Sequence, residues 1–299
     1  MVIKKIIWAC DGSKESEHAL KQAIFIAKKY DASIFGLYVS RIDIVSRFLI
    51  LSPILNEYLG KSEKDQREKF SSLKLELNKK GLYFEGFVLR GDPREEIVKY
   101  AASKEADLIV MGTRGHGLLD SMLIGSTTLN VLKNSPIPVL AHKRGKNSTG
   151  VKIKNILVPL EIFEESGSAL IYALNLAKIV DANVTVLNAV ISGGYSYALP
   201  TNILEESMTH AHQELEKIIM NVKSKGKFSD KDLNKIKISV KTSYGPNYGV
   251  SISDYANKKN MDLIVIHTHG KKGIEKLMLG SVTELVIRKA KCSVLALKP

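Results

Sequence analysis

The chain repeats itself at a spacing of about 150 residues, and this internal repeat constrains the fold more than any other feature. Residues 6–34 align without a gap on 156–184, and the aligned residues are identical at ten of the 29 positions. Farther along, the shift becomes 155, where "DLIV" at 107–110 meets "DLIV" at 262–265. A period this long exceeds the 20–50 residues typical of solenoid repeats. The sequence therefore predicts two copies of one ordinary domain.

The domain boundaries follow from the repeat and from the composition between the copies. The segment "KRGKNSTGVK" is polar, contains glycine and shows no strand or helix periodicity, which is typical of a linker. A chain of 299 residues is long enough for two cores of normal size. We therefore expect one domain over residues 1–145 and a second over 150–299.

Each copy alternates strand-like and helix-like patterns. In the first copy, apolar runs predict five strands, at "IKKIIWA", "ASIFGLYV", "LYFEGFVL", "DLIVMG" and "IPVLAHK". Between them, helical spacing predicts helices over 14–30, about 62–80 and 126–134, and Asp92 followed by Pro93 predicts the start of another. Such alternation indicates an α/β fold: two tandem Rossmann-like domains, each with a five-stranded parallel sheet core and helices on both faces.

The segment "GTRGHGLLDSMLIGST", directly after the fourth predicted strand, has the chemistry of a phosphate-binding loop. Glycines allow the backbone to approach a ligand closely, so that successive N–H groups form a concave nest for an anion. A helix that begins at its end adds unpaired N–H groups and a partial positive charge. The loop is neither a Walker A loop nor the GxGxxG turn of dinucleotide-binding domains. Its pattern is GxxGx9G[ST], at the end of the strands where ligands of parallel sheets bind.

This pattern resembles the ATP-binding loop of the universal stress protein family, within the adenine-nucleotide α-hydrolase-like superfamily. The resemblance covers nearly the whole chain, as two tandem copies. It implies that the ribose and phosphates of ATP contact one set of loop residues, namely Gly112, Gly115, Gly125, Ser126 and Thr127.

Two further positions carry the same resemblance. "ACDGSKES" is similar to the family's Asp-x-Ser stretch, which implies that Asp11 contacts the nucleotide. Val39, at the end of the second strand, matches the position whose backbone recognises adenine. Alternatives stay open at this point, because Asp11 is equally suited to cap the first helix and Gly112 to allow tight packing of strand and helix. Arg114 and His116 are either phosphate contacts or solvated loop residues.

The second copy departs from the pattern. His267 stands in place of the first glycine and Glu161 in place of Asp11, although Gly270, Gly280 and Ser281 are retained. We therefore expect weak or no ATP binding there, and a structural or interface role instead. The run His267-Thr268-His269 has no evident third ligand, so no metal site is predicted.

The sequence contains no set of residues that indicates catalysis near the glycine loop. Neither a carboxylate pair for Mg²⁺ nor a Ser/His/Asp or Cys/His set is evident, so no catalytic residue is predicted. The leading hypothesis is a stress-response protein in which ATP (or ADP or AMP), with or without Mg²⁺, is a conformational ligand, hydrolysed slowly or not at all. The alternatives are a protein-interaction module whose glycine loop is a relic, and an ATP-using enzyme of the same superfamily.

Composition and charge restrict the setting and the partners. The net charge of +13 is spread over both copies without a nucleic-acid-binding motif, so no specific nucleic-acid partner is predicted. Two cysteines form no disulfide framework, and no apolar stretch is long enough to span a bilayer, so a cytoplasmic location is expected. The resemblance implies pseudo-two-fold pairing of the two domains through their last strands. A homodimer and an unidentified protein partner are further possibilities.

Overall fold

The computed structural model describes residues 2–41, 53–113, 124–143, 151–160, 167–191, 201–225, 228–229, 234–268 and 279–298. The chain divides into two compact units, Val2–Lys143 and Arg144–Pro299. Both units have the predicted α/β architecture, in which parallel strands alternate with helices.

In the first unit, five strands alternate with four helices among the described residues. The strands are β1 (Lys5–Cys10), β2 (Ser33–Arg41), β3 (Phe84–Gly91), β4 (Leu108–Gly112) and β5 (Val139–His142). The helices are α1 (Lys14–Tyr30), α2 (Pro53–Lys79), α3 (Pro93–Ser103) and α4 (Ser126–Asn134). The strands are parallel and lie in the order β3-β2-β1-β4-β5, so that β1 and β4 are neighbours at the centre.

The helices of the first unit cover both faces of its sheet. The buried Trp8 of β1 donates from Nε1 to the Ser16 carbonyl of α1 at 2.8 Å and lies 6.1 Å from the Phe70 ring of α2, so α1 and α2 share one face. On the opposite face, Phe87 of β3 lies 5.3 Å from the Tyr100 ring of α3. Two apolar layers therefore enclose the central strands, which are buried on both sides.

The second unit repeats this arrangement. Its strands are β6 (Asn155–Pro159), β7 (Asn183–Ile191), β8 (Ile238–Gly245), β9 (Leu263–His267) and β10 (Ser293–Leu297). Its helices are α5 (Ser168–Val180), α6 (Thr201–Lys225), α7 (Tyr248–Lys258) and α8 (Ser281–Lys289). The strand order is β8-β7-β6-β9-β10, with the same central pair as in the first unit.

Most of the predicted elements are confirmed, and one helix is longer than expected. Helices α1 and α4 have the predicted bounds, and Asp92 caps α3 by accepting a hydrogen bond from the backbone N–H of Arg94 at 2.9 Å. Helix α2 begins at Pro53 rather than near residue 62. Proline is compatible with the first helical position, because the N–H it lacks would have no partner there. Residues 42–52, which precede this helix, lie outside the described residues.

No helix in the described part of the chain is both long enough and apolar enough to cross a membrane.

Candidate functional site

The central strands β1 and β4 end side by side. They pair in parallel from Ile6↔Leu108 to Ala9↔Met111, so that Gly112 directly follows the last paired residue of β4 and Asp11 lies two residues beyond that of β1. The chain leaves β1 toward β2 on one side, whereas β4 leads to β5 on the other. This is the topological switch point, where a parallel sheet opens a crevice for a ligand.

Asp11 shapes the turn between β1 and α1 without capping the helix. Its Oδ1 accepts a hydrogen bond from the backbone N–H of Ser13 at 2.9 Å, while Gly12 between them has a φ of 81°. Ser13 is the N-cap, since its Oγ accepts from the Ser16 N–H at 3.2 Å. The capping alternative for Asp11 is therefore wrong. Its side chain is exposed at the end of β1, and Oδ2 has no hydrogen bond within the described part of the molecule.

Gly112 is explained by packing. A β-carbon at this position would lie 3.1 Å from the carbonyl carbon of Glu15 and 3.2 Å from its Cβ. Such contacts are tighter than those of ordinary side chains, and the backbone of the first turn of α1 cannot easily give way. Glycine at 112 thus lets α1 lie close against β4, and no ligand is needed to account for it.

Two threonines hold the glycine segment to the sheet. Thr113 donates from its backbone N–H to the His142 carbonyl at 3.2 Å and accepts from the Gly125 N–H at 2.9 Å. Thr128 donates from Oγ1 to the Gly112 carbonyl at 2.9 Å. Sequence reasoning missed both residues. The repeat contained the signal, because Thr113 and Thr128 have identical counterparts in the second copy.

The N-terminus of α4 has no side-chain cap. Gly125 is its N-cap, with φ −61° and ψ 140°, and the first intrahelical hydrogen bond runs from the Leu129 N–H to the Gly125 carbonyl at 3.1 Å. Ser126 is the first helical residue and is exposed, so it does not cap the helix, and Thr127 is half-buried. The N–H groups of this first turn are donors suited to an anion, and the helix dipole adds partial positive charge.

Gly125 differs from Gly112 in its surroundings. A β-carbon there would be 3.7 Å from the Thr113 carbonyl oxygen and 3.8 Å from Thr128 Oγ1, which is ordinary van der Waals distance. Neither its backbone conformation nor its described neighbours require glycine. The missing side chain leaves the N-terminus of α4 open to a ligand.

Val39 lies where β2 extends beyond β1. The β1–β2 ladder ends at Cys10↔Tyr38, whereas the β2–β3 ladder continues to Arg41↔Gly91. The Val39 side chain is buried, so its backbone is the part suited to a ligand contact. The structure thus brings Asp11, Val39, Gly112, Gly125, Ser126 and Thr127 to one end of the sheet. Gly115, Arg114 and His116 lie outside the described residues.

A histidine lies next to Gly112 on the neighbouring strand. His142 of β5 pairs in register with Gly112, and burial, together with the charge of His18, lowers its pKa to about 4. The neutral imidazole is therefore the native form at neutral pH.

On β1, burial and the adjacent Asp11 charge raise the pKa of the Cys10 thiol far above its ordinary value, so this thiol is not a reactive nucleophile.

The second unit keeps the backbone framework of the site. Thr268 donates from its N–H to the Leu297 carbonyl at 2.7 Å and accepts from the Gly280 N–H at 2.7 Å. Thr283 donates from Oγ1 to the His267 carbonyl at 2.6 Å. Helix α8 also begins without a side-chain cap.

The difference lies at the helix that packs against His267. Aligned by the repeat, α5 would begin at residue 164, but it begins at Ser168, four residues later than α1. His267 Nε2 and Ser168 Oγ share a hydrogen bond of 2.7 Å. The imidazole is therefore directed toward α5. In the first unit Gly112 takes the equivalent position, and its missing side chain leaves that space to α1. Glu161, His269 and Gly270 lie outside the described residues.

The central strands of the second unit also separate earlier. The β6–β9 ladder contains Ile156↔Leu263 and Leu157↔Ile264, two pairs fewer than the β1–β4 ladder. Pro159 replaces Ala9 and has no N–H to donate to a ladder. The strand end that carries Asp11 in the first unit is thus built differently in the second.

The sequence matches the Universal stress protein family twice, over residues 3–143 and 152–298. These matches cover nearly the whole chain, and the chain belongs to this family.

Similar proteins agree with this assignment. Universal stress protein MJ0531 of Methanocaldococcus jannaschii is 38% identical over 148 residues, which are 48% of this chain and 84% of the relative. Universal stress protein MJ0577 of the same organism is 33% identical over 161 residues, 50% of this chain and 99% of the relative. A crystal structure of a universal stress protein from Archaeoglobus fulgidus superposes with a TM-score of 0.66 at 21% identity, covering 98% of this chain and 96% of the other. This last likeness shows the fold.

Proposed function

We propose that the first domain, over 1–145, binds ATP at the carboxyl ends of β1 and β4. The observation that carries this proposal is the juxtaposition of an exposed carboxylate, Asp11, with an uncapped helix N-terminus at Gly125. A nucleotide offers a ribose to the first group and phosphates to the second. The family's ATP-binding loop, which the segment 112–127 resembles, supports the same reading.

On the phosphate side, the first turn of α4 is the main donor group. Backbone N–H groups at Ser126 and Thr127, with the hydroxyl of Ser126, lie beside a glycine that imposes no steric barrier. These backbone N–H groups can bind a phosphate group whichever adenine nucleotide carries it, so ADP and AMP are also acceptable ligands. Mg²⁺ would be held chiefly by the phosphates.

On the adenosine side, Asp11 and Val39 supply the contacts. Asp11 keeps one carboxylate oxygen for the Ser13 N–H, which fixes its orientation, and leaves the other for a ribose hydroxyl. The Val39 backbone, beyond the end of β1, is placed to bond the adenine edge. ATP in this site acts as a conformational ligand of a stress-response protein, with slow or no hydrolysis.

The second domain, over 150–299, does not bind nucleotide in this proposal. The contact between His267 and Ser168, the later start of α5 and the early end of the β6–β9 ladder all support this difference. Its role is then structural or at an interface.

The first test is to denature the purified protein, identify released nucleotide by chromatography and determine its molar ratio to protein. One adenine nucleotide per chain is expected. Two per chain would show that the second domain also binds. If none is released and calorimetric titration with ATP and Mg²⁺ gives no heat, the proposal is wrong and the interaction-module alternative takes its place.

A matched pair of variants tests the site. Gly125→Ala places a methyl group at the phosphate position while making only ordinary contacts with the protein, so ATP affinity should fall at least tenfold without loss of stability. Gly280→Ala is the control, because Gly280 has nearly the same backbone angles, φ −61° and ψ 142°, in the domain proposed not to bind. Equal affinity in the Gly125→Ala variant and the wild type would refute the placement of the phosphates.

Asp11→Ala separates the two halves of the ligand. The substitution should weaken ATP binding strongly but leave tripolyphosphate binding nearly unchanged, because Asp11 is assigned to the ribose. An equal loss of affinity for ATP and for tripolyphosphate, measured by calorimetry, would contradict this assignment.

A further inference from the structure

Three aromatic rings surround the ammonium group of Lys104 in the first domain. The Lys104 Nζ lies 5.6 Å from the ring centroid of Phe35, 4.9 Å from that of Phe87 and 5.6 Å from that of Tyr100. All three distances are within the range of a cation–π interaction. The rings come from β2, β3 and α3, and Lys104 is the C-cap of α3. We refer to Phe35, Phe87 and Tyr100 as the aromatic cage.

The cage is not required by the fold. In the second domain, Lys259 caps α7 as Lys104 caps α3, and Tyr255 takes the place of Tyr100. The strand positions differ, because Thr185 and Lys241 stand where the repeat places Phe35 and Phe87. Lys259 is exposed, whereas Lys104 is half-buried. The two cage residues on the strands are therefore specific to the first domain.

The cage suits an alkylated ammonium better than a primary one. A primary ammonium has three N–H donors, yet Lys104 Nζ has no hydrogen bond or ion pair within the described part of the chain. The Glu85 carboxylate of β3 accepts from the Tyr83 hydroxyl at 3.3 Å. Ring faces stabilise positive charge but replace water poorly as hydrogen-bond acceptors. Replacing N–H by N–CH₃ keeps the charge, lowers the number of donors that need a hydrogen-bond partner and adds apolar surface against the rings.

We propose that Lys104 is a site of N-methylation and that the aromatic cage holds the methylated side chain. The neutral amine, after loss of one proton to solvent, attacks the methyl carbon of a sulfonium donor. The new C–N bond forms as the C–S bond breaks, so the amine becomes a methylammonium and the sulfonium becomes a neutral thioether. The flanking residues Ser103 and Glu105 are exposed, so a modifying enzyme can reach this helix end.

The energetic part is tested with lysine analogues. Lys104→Cys is alkylated with 2-bromoethylamine or its mono-, di- or trimethylated forms, which build lysine mimics with zero to three methyl groups. The native thiols Cys10 and Cys292 are buried and should not react in the folded protein. The single tryptophan, Trp8, lies in the first domain and reports its unfolding in denaturant by fluorescence. The unfolding equilibrium constant should decrease about threefold or more from zero to three methyl groups.

Two controls define the result. Lys99→Cys, on the same helix but with an exposed side chain, should show no such decrease in the same series. Phe87→Leu in the Lys104→Cys background should make the decrease smaller, because it removes the nearest of the three rings. Equal stability of all four analogues at position 104 would overturn the proposal.

The modification itself is tested by peptide mass spectrometry of the full-length protein purified from its native cells. We expect a mass increase of one or more CH₂ units on the peptide that contains Lys104 and none on the peptide that contains Lys259. An unmodified Lys104 would overturn the assignment of a methylation site. Neither result depends on whether the first domain binds nucleotide.

Discussion

The packing of Gly112 against α1 leads to a quantitative prediction. In Gly112→Ala, the new methyl group would lie 3.1 Å from the Glu15 carbonyl carbon and 3.3 Å from its carbonyl oxygen. Overpacking of this kind costs about 1–3 kcal/mol. Replacing glycine also lowers the conformational entropy of the unfolded chain. This effect stabilises the folded protein by about 0.4–1 kcal/mol, because Gly112 does not have a positive φ. Taking the middle of each range, the net destabilisation is about 1.3 kcal/mol.

The assay is denaturant unfolding followed by Trp8 fluorescence. The Trp8 indole donates to the Ser16 carbonyl, in the same turn of α1 that the methyl group would displace, so the probe lies at the perturbation. The unfolding equilibrium constant should rise about ninefold. The fluorescence emission of the folded state should also change, because the turn that holds the indole is displaced.

Gly125→Ala is the control for this prediction. Its methyl group makes only ordinary contacts. Alanine lowers the conformational entropy of the unfolded chain, which stabilises the protein, but alanine is less favourable than glycine as an N-cap. Because these two effects oppose each other, stability should stay within about 0.5 kcal/mol of wild type. A Gly112→Ala variant as stable as Gly125→Ala would refute the packing explanation. Gly112 would then have to be explained by a ligand.

Three further predictions concern His267, His142 and Tyr30, whose hydroxyl group is buried. His267→Gly should add no nucleotide-binding site in a calorimetric titration, because α5 begins late and Ser168 would lose its hydrogen bond; a second ATP per chain would contradict this. The pKa of His142 is lowered to about 4 in the folded state, so stability should fall as pH decreases from about 6.5 to 4. His142→Leu should flatten that part of the denaturation profile, and an unchanged slope would show that His142 is not its source. Burial raises the pKa of Tyr30 to about 12, so stability should fall between pH 10 and 12, and Tyr30→Phe should remove this loss; a wild-type slope in the variant would exclude Tyr30.

The fold was predictable because the repeat and the periodicities agree. Parallel strands buried on both faces appear as continuous apolar runs, and the helices between them have apolar spacing, so the first copy specified its five strands without tertiary information. The bounds of α1 and α4 were predictable for the same reason. The early start of α2 at Pro53 was not, because the helical spacing that predicted this helix begins only near residue 62.

The candidate site was predictable only in part. A glycine in the sequence does not show whether its missing side chain makes room for a ligand or for the protein itself. The contact of Gly112 with Glu15 and the open surroundings of Gly125 distinguish these two cases. Similarly, Ser13 and Asp11 are equally good helix caps by residue type, and only the hydrogen bonds assign the cap to Ser13.

The sequence by itself determined that there are two related domains, their α/β class and the segment that resembles a nucleotide-binding loop. These features are local or periodic, so they can be recognised one segment at a time. The tertiary structure decided which residues share a site, since neighbouring parallel strands such as β1 and β4 come from distant parts of the chain. It also decided the direction of the His267 side chain and the enclosure of Lys104 by three rings, because both depend on contacts between separate strands and helices.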